Sequence, residues 1–228
     1  DSSIYNNQKA DSMNEPVLKI RNLTVGHKDM VLYGNVCLDI CKGDCIMLCG
    51  ANGSGKTTLL KAVAGLSEEV VMIPARIPKV GGFTLKEFVR IGCFRQTDMG
   101  GKLSAEDEKT LEAALETLNL KHLSDRDIST LSDGEFQKAG IAAALVRKAS
   151  VILLDEPTAF LDVENRISVL NTLRRLCDDS GTAVIFSTHD IHDGLNAACK
   201  VIALCPEGRM ICTDKDMQEA VRCIFRHI

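Results

Sequence analysis

The chain has 228 residues, of which 45% are hydrophobic and 25% are charged, as is ordinary for a globular protein of one large domain. Its formal net charge is -4, so it lacks the general basic field with which proteins hold nucleic acid, and we expect no nucleic-acid partner. The sequence contains no run of about 18 apolar residues, so we expect no membrane-spanning helix.

Residues 1–15 are polar and aperiodic and lack the apolar stretch of a secretory signal. We interpret them as a flexible tail before a single domain over residues 16–228. Four of the ten cysteines recur every four residues, namely Cys37, Cys41, Cys45 and Cys49. That spacing admits a metal site, but two strands around the turn at 42–44 would divide the thiols, so we expect reduced cysteines.

Hydrophobic patterning predicts the elements in chain order. Alternation predicts strands over residues 17–25, with a slip at Asn22, and over 31–40. Apolar runs predict buried strands at 45–48, 151–154 and 183–187, and a hairpin joins 201–204 to 209–212. Amphipathic or capped segments predict helices over 56–63, 84–91, 105–118, 132–146 and 165–177, with a last helix beginning near Asp216.

Buried strands that alternate with helices indicate a parallel sheet, so the expected fold class is α/β. The first two strands predict an antiparallel β flap beside that sheet. The helices between residues 84 and 146 interrupt the alternation, which indicates a helical lobe inserted into the domain.

Residues 50–58 match the phosphate-binding loop pattern G-x-x-x-x-G-K-[ST] between an apolar strand and a helix. Glycines let backbone N–H groups turn toward phosphate oxygens, and the following helix adds its N-terminal dipole. We expect Lys56 to reach the β- and γ-phosphates and the Thr57 hydroxyl to ligate Mg²⁺. The residues expected to bind a nucleoside triphosphate, which we take to be ATP, are Gly50, Ala51, Asn52, Gly53, Ser54, Gly55, Lys56, Thr57 and Thr58.

The apolar strand at 151–154 delivers two acids, Asp155 and Glu156, to the carboxyl edge of the sheet, as a Walker B motif does. We expect Asp155 to hold Mg²⁺ directly or through water, and Glu156 to polarise the attacking water as a general base. The alternative is an acidic pair that caps a helix after a core strand, and the upstream phosphate-binding loop disfavours it.

Residues 131–135, LSDGE, open a helix with Ser132 and Glu135 in a capping box, and a helix N-terminus of this kind also binds anions. The segment resembles the LSGGQ signature of ABC-type ATPases and precedes the Asp155 strand, as in that family. The resemblance implies a P-loop NTPase fold with a RecA-like sheet core. It also implies that Ser132, Asp133, Gly134 and Glu135 contact ATP bound to a second copy of the chain.

Shorter matches follow in the family's order. Residues 159–162 resemble the D-loop, which ends at Asp162. Residues 187–190 resemble the H-loop, in which His189 would sense the γ-phosphate and join Lys56 among the catalytic residues; a surface histidine or a metal pair with His192 is the alternative. His27 stands where the family stacks an aromatic ring on adenine, although an ordinary turn residue also explains it.

Two departures from the family pattern bear on activity. The Q-loop glutamine falls at Ala75 in one register and at Gln96 in another. The register that places Ala75 there is preferred, and it removes one Mg²⁺ ligand and one link to a membrane partner. Asp133 replaces the first signature glycine, and its carboxylate would repel a γ-phosphate unless it points away or pairs with a cation.

The resemblance covers residues 17 to about 213. Residues 83–89 and 102–107 look like ATPase subunits of importers for iron–siderophore complexes, haem and cobalamin. The implied protein is a cytoplasmic ATP hydrolase, peripheral on the inner face of the cell membrane, that uses ATP and Mg²⁺. Its implied partners are a second copy arranged head to tail, transmembrane permease subunits and, indirectly, a substrate-binding protein. Two alternatives stay open: a soluble non-transport ABC ATPase, and a nucleotide-binding module with weak hydrolysis.

Overall fold

The computed structural model describes residues 16–27, 30–93 and 104–225, which form a small and a large β-sheet with helices around the large one. Strands β1 (Pro16–His27) and β2 (Met30–Cys41) pair antiparallel in the small sheet. The large sheet has the order β4-β5-β6-β3-β7-β8. Its strands are β3 (Cys45–Gly50), β4 (Val70–Ile73), β5 (Val151–Leu154), β6 (Ala183–Ser187), β7 (Lys200–Leu204) and β8 (Met210–Thr213).

Seven α-helices lie in the described part of the chain. Helix α1 (Lys56–Ala64) follows β3, and three helices lie between β4 and β5: α2 (Leu85–Arg90), α3 (Ala105–Thr117) and α4 (Asp133–Val146). The remaining helices are α5 (Val163–Ser180), α6 (Ile191–Ala197) and α7 (Met217–Phe225), and 3₁₀ turns cover Ile91–Cys93, Lys121–Leu123, Ile128–Thr130 and Pro206–Gly208. Among the described helices, none is long and apolar enough to cross a bilayer.

Both faces of the central strands are buried, which explains why the sequences of β3 and β5 lack polar side chains. Along β3, Met47 and Cys49 face a core shared with α2 to α7, whereas Ile46 and Leu48 face a core shared with α1 and the small sheet. Strands β4 to β7 pair parallel with their neighbours and β8 pairs antiparallel with β7. The predicted α/β class, with a parallel sheet and an antiparallel flap, is confirmed.

The three helices between β4 and β5 begin with capping boxes. In each, a hydroxyl accepts the N–H of the residue three positions on, and that residue's carboxylate accepts the N–H of the cap. The caps are Thr84, Ser104 and Ser132. Local sequence therefore sets where these helices begin. Their grouping as an inserted lobe over residues 84–146, within a single domain over 16–228, stays a prediction.

Several predicted boundaries were wrong by one to three residues. Helix α5 extends beyond the predicted range 165–177, because Asp162 caps its start and Gly181, with a φ of 70°, ends it. The last hairpin strand is shifted by one residue from the predicted 209–212. The slip at Asn22 is a bulge, since the pairing register shifts between Ile20 and Leu23 and Asn22 has a φ of 54°.

The four cysteines of the regular spacing are divided between the two sheets. Cys37 is exposed and Cys41 is half-buried on β2, whereas Cys45 and Cys49 are buried on β3. Burial raises the pKa of the Cys49 thiol to about 12. The described residues contain no group of three His, Cys, Asp or Glu side chains placed to hold a metal ion.

The 3₁₀ turn after α2 packs directly on α4 at Gly92. A Cβ atom on residue 92 would overlap the carbonyl oxygen of Ala143, which is backbone and cannot move aside cheaply. We expect Gly92→Ala to lower the free energy of unfolding by about 1–3 kcal/mol, measured by urea denaturation. Gly34→Ala is the matched control, since a Cβ at residue 34 has no described atom within 4 Å. Equal stability of the two variants would contradict this packing.

Candidate functional site

The phosphate-binding loop leaves the carboxyl end of β3 and enters α1. Gly53 and Gly55 have φ values of 78° and 95°, in the left-handed region that favours glycine. Gly55 is the N-cap of α1, and among the described residues no side chain caps that helix. The first backbone N–H groups of α1 are therefore available to an anion.

Lys56 folds back over this loop. Its ammonium Nζ donates to the carbonyl oxygens of Gly50, at 3.0 Å, and of Ala51, at 3.3 Å, and the residue is only 6% exposed. Burial lowers the pKa of Lys56, and the nearby carboxylates of Glu156 and Asp155 oppose that shift. A phosphate in the loop would give the ammonium a stronger acceptor than these two carbonyls.

A hydroxyl, a carboxylate and a second hydroxyl form a chain behind the loop. The Thr57 hydroxyl donates to Asp155 Oδ2 at 2.7 Å, and the buried Ser187 hydroxyl donates to Asp155 Oδ1 at 2.9 Å. Ser187 Oγ also accepts the Glu156 N–H at 2.8 Å. Ser187 therefore connects the end of β6 to both acids that follow β5. Sequence reasoning gave Ser187 no role, although a hydroxyl at the end of a buried strand beside an acidic strand end is a usable signal.

Glu156 adopts a φ of 47°, a left-handed conformation that is unfavourable for a residue with a side chain. Its carboxylate Oε1 lies 2.5 Å from Nε2 of His189, which follows β6. The structure thus brings Glu156 and His189 into direct contact. In the same strand-to-helix loop, Asp190 caps α6 and pairs with Arg166 of α5.

Residues 132–135 form the capped start of α4. Ser132 and Glu135 make the reciprocal capping bonds of α4. Asp133 pairs with a cation, because Lys79 Nζ lies 2.6 Å from its Oδ1. Hydrogen bonds of the described residues do not join residues 132–135 to the phosphate-binding loop.

Gly134 and Asp162 approach each other through one side chain. A Cβ on residue 134 would lie 3.1 Å from Asn165 Oδ1, and Asn165 Nδ2 donates to Asp162 Oδ2 at 2.9 Å. Asp162 also accepts the Asn165 N–H at 2.8 Å as the N-cap of α5. The D-loop candidate is therefore packed against the signature candidate.

A cavity of about 570 Å³ lies between Glu156 and the start of α4. Its lining includes Ala75, Asp133, Glu156 and Phe160. Ala75, the residue of the preferred Q-loop register, lines the same cavity as Glu156, while the alternative Gln96 lies outside the described residues. His27 is exposed at the end of β1, where it pairs with Met30, and its stacking on adenine stays a prediction.

Tyr33 is a site residue that the sequence did not reveal. It is buried on β2, and its hydroxyl donates to the backbone carbonyl of Ser54 in the phosphate-binding loop at 2.7 Å. Burial raises the pKa of Tyr33, so the phenol stays a donor at neutral pH. The small sheet thereby contacts the loop directly through a hydrogen bond.

We expect Ser187→Ala to lower the free energy of unfolding by about 1–3 kcal/mol, because the Glu156 N–H loses its acceptor and Asp155 loses a donor. Chemical denaturation measures this change. Ser124→Ala, which removes a hydroxyl bonded to the Lys121 carbonyl at the surface, is the control and should change stability by less. If both variants lose the same amount, Ser187 does not hold the two acids.

We expect Tyr33→Phe to weaken ATP binding about 2- to 10-fold, because the loop loses one hydrogen bond that fixes its backbone. Fluorescent-nucleotide titration measures the dissociation constant, and a thermal melt checks that the variant stays folded. An unchanged dissociation constant would show that the Tyr33 contact does not hold the loop for binding.

Comparison with known proteins places this site in a family. The family model described as ABC transporter matches residues 33–159. An uncharacterized ABC transporter ATP-binding protein of Methanocaldococcus jannaschii is 32% identical over 208 residues, covering 81% of this chain and 72% of the relative. The achromobactin transport ATP-binding protein of Dickeya dadantii is 32% identical over 203 residues, covering 79% and 74%.

A solved structure is similar to this chain in both fold and sequence. It is described as the inward-facing conformation of a metal-chelate type ABC transporter, and it superposes with a TM-score of 0.81 at 26% identity. The match covers 92% of this chain and 89% of that one. Together with the loop, the acidic strand end and the capped signature helix, these matches show that the chain belongs to the ABC transporter ATP-binding family, whose members bind and hydrolyse ATP to drive transport.

Proposed function

We propose that this chain hydrolyses ATP at a site shared by two copies and thereby powers an importer for an iron complex, haem or cobalamin. The hydrogen-bonded chain from Thr57 through Asp155 and Ser187 to Glu156 and His189 carries the catalytic part of the proposal. In this proposal the chain of bonds holds a cation-binding pair, a general base and a phosphate sensor beside one phosphate-binding loop.

Each group in this chain has a proposed role. Lys56 leaves the carbonyls of Gly50 and Ala51 to bind the β- and γ-phosphates. Glu156 accepts a proton from the attacking water, and His189, in contact with that carboxylate, orients it and senses the γ-phosphate. The backbone φ of 47° at Glu156 sets the direction in which its side chain leaves the main chain.

The residues present fit a Mg²⁺ ion. The Thr57 hydroxyl and the Asp155 carboxylate are oxygen donors that lie 2.7 Å apart next to the loop, and hard divalent cations prefer such ligands. When bound, the ion would neutralise charge on the β- and γ-phosphates. Ser187 keeps the Asp155 carboxylate oriented toward this position through its 2.9 Å hydrogen bond.

The second half of the site is proposed to come from another copy. Residues 132–135 present an N-cap serine and a helix N-terminus, and the described hydrogen bonds do not join them to their own loop. Head-to-tail pairing would set Ser132, Gly134 and Glu135 of one copy against ATP on the other. Asp162, packed through Asn165 onto Gly134, would lie at the same interface.

An apolar groove on the surface is the proposed docking site for partners in the membrane. Strand β4 is an edge strand, and a groove of about 410 Å³ lies between it and α4, with Met72, Ile91 and Ala143 in its lining. Ile91 is a large apolar side chain with 47% exposure. We propose that permease subunits dock here, which would hold the chain at the inner face of the membrane, with a substrate-binding protein acting indirectly.

The cargo assignment is supported by relatives named for iron complexes. The iron(3+)-hydroxamate import protein of Bacillus subtilis and the ferric enterobactin transport protein of Escherichia coli are 28% and 29% identical to this chain. Relatives named for zinc and for aliphatic sulfonates are 30% and 34% identical, so the cargo needs a direct test.

Removal of the loop cation or of the base tests the catalytic proposal. We expect Lys56→Ala and Glu156→Gln each to lower the ATP turnover rate by at least about 100-fold, measured as phosphate release. Glu156→Gln should still bind ATP and form a dimer with it, because the carboxamide keeps the side chain's shape. Lys61→Ala, on the same helix, is the control. Full turnover by Lys56→Ala would refute the proposal, and background turnover by the unmodified chain would favour the weakly hydrolysing alternative.

Uptake measurements test the cargo. In a source strain that lacks this gene, we expect uptake of one radiolabelled compound among a ferric siderophore, haem and cobalamin to fall to background. The unmodified gene should restore that uptake, and the Lys56→Ala gene should not. Normal uptake of all three compounds would overturn the cargo assignment. If the strain also takes up every other compound tested at the normal rate, a non-transport ABC ATPase is favoured.

A further inference from the structure

The N-terminus of α4 carries acids at two positions of the proposed anion site. The Glu135 carboxylate is used in capping its own helix, because it accepts the Ser132 N–H at 2.8 Å. That hydrogen bond lowers the pKa of Glu135. Asp133 is different, because its side chain is 63% exposed and lines the cavity beside Glu156. A phosphate that approaches Ser132 therefore meets the charge of Asp133 first.

Lys79 supplies the opposite charge from another part of the chain. It lies on the segment after β4, and its Nζ is 2.6 Å from Asp133 Oδ1. The same ammonium donates to the carbonyl oxygen of Leu131 at 2.8 Å and lies 5.6 Å from the ring centroid of Phe136. These three contacts leave the Lys79 side chain 25% exposed, so the ion pair is held more firmly than a freely solvated one.

The other cation in this cavity is engaged elsewhere. Arg76 lines the same space, but its guanidinium lies 4.4 Å from the ring centroid of Phe160. Lys79 is thus the described cation placed to balance Asp133. Its bond to Leu131 also fixes the backbone on the other side of Ser132, so one ammonium holds both neighbours of the N-cap.

We propose that Lys79 is a positioning residue for ATP hydrolysis. It neutralises Asp133 and fixes the turn from Leu131 to Asp133, so that the Ser132 hydroxyl of one copy can donate to the γ-phosphate of ATP bound to the other. This inference rests on the proposed function, because it needs the shared site. It goes beyond that function by explaining how a signature with an acid in place of glycine stays able to bind a phosphate.

A double-mutant cycle in the Glu156→Gln background tests the proposal. The measured quantity is ATP-driven dimerisation, which size-exclusion chromatography detects. We expect Lys79→Met to raise the ATP concentration for half-maximal dimerisation about tenfold, since an unpaired carboxylate then faces the phosphate. Asp133→Gly should remove the need for the lysine, so that Lys79→Met and Asp133→Gly together behave like Asp133→Gly alone. Lys79→Arg keeps the positive charge and should therefore dimerise at nearly the same ATP concentration as the chain with Lys79. Lys86→Met, which breaks an ion pair with Glu108 and Glu112, is the matched control.

Two further readouts separate positioning from loss of structure. The Lys79→Met defect should shrink as NaCl is raised, because salt screens the repulsion between Asp133 and the phosphate, whereas a folding defect would not. Fluorescent ATP should bind the isolated variant about as tightly as the unmodified chain. Equal damage in Lys79→Met with and without Asp133→Gly, or no damage at all, would overturn the inference. If the Glu156→Gln chain with Lys79 intact binds ATP but stays monomeric, the shared-site proposal itself fails.

Discussion

The parallel register of three neighbouring strands is the constraint on which the site depends. Strands β5, β6 and β3 are adjacent, with Leu154 opposite Phe186 and Leu48 opposite Ser187. Their carboxyl ends therefore lie at one edge of the sheet, where the phosphate-binding loop and both acids begin. A slip of one residue in β6 would turn the Ser187 hydroxyl to the other face and disconnect the acids.

The hydroxyl of Ser187 also shows how the fold supports an unfavourable conformation. Glu156 has a left-handed backbone, which costs on the order of 1–3 kcal/mol for a residue with a side chain. Its N–H is nevertheless satisfied, because Ser187 Oγ accepts it in a fully buried position. Core packing on both faces of the sheet offsets the cost and holds the carboxylate next to His189.

The proposed charge balance would let the chain depart from the family signature at Asp133 and keep the architecture of the site. The capped start of α4 keeps its hydroxyl and glycine, while the added charge of Asp133 meets Lys79 from the segment after β4. The position of that segment matters for a second reason, since it also carries Ala75 beside the cavity. Ala75 and Asp133 therefore line one cavity although they are far apart in the chain.

The sequence alone indicated the α/β class, the phosphate-binding loop, the acidic strand end and the capped starts of α3 and α4, because each depends on periodicity or on residues a few positions apart. It missed β4 and α6, which have four and seven residues and are too short for a clear period. Only the tertiary structure decided the contacts of Tyr33 with Ser54, Ser187 with Asp155 and Lys79 with Asp133, which join residues 21, 32 and 54 positions apart. Such contacts depend on how strands pair and how helices pack, and no local pattern specifies that geometry.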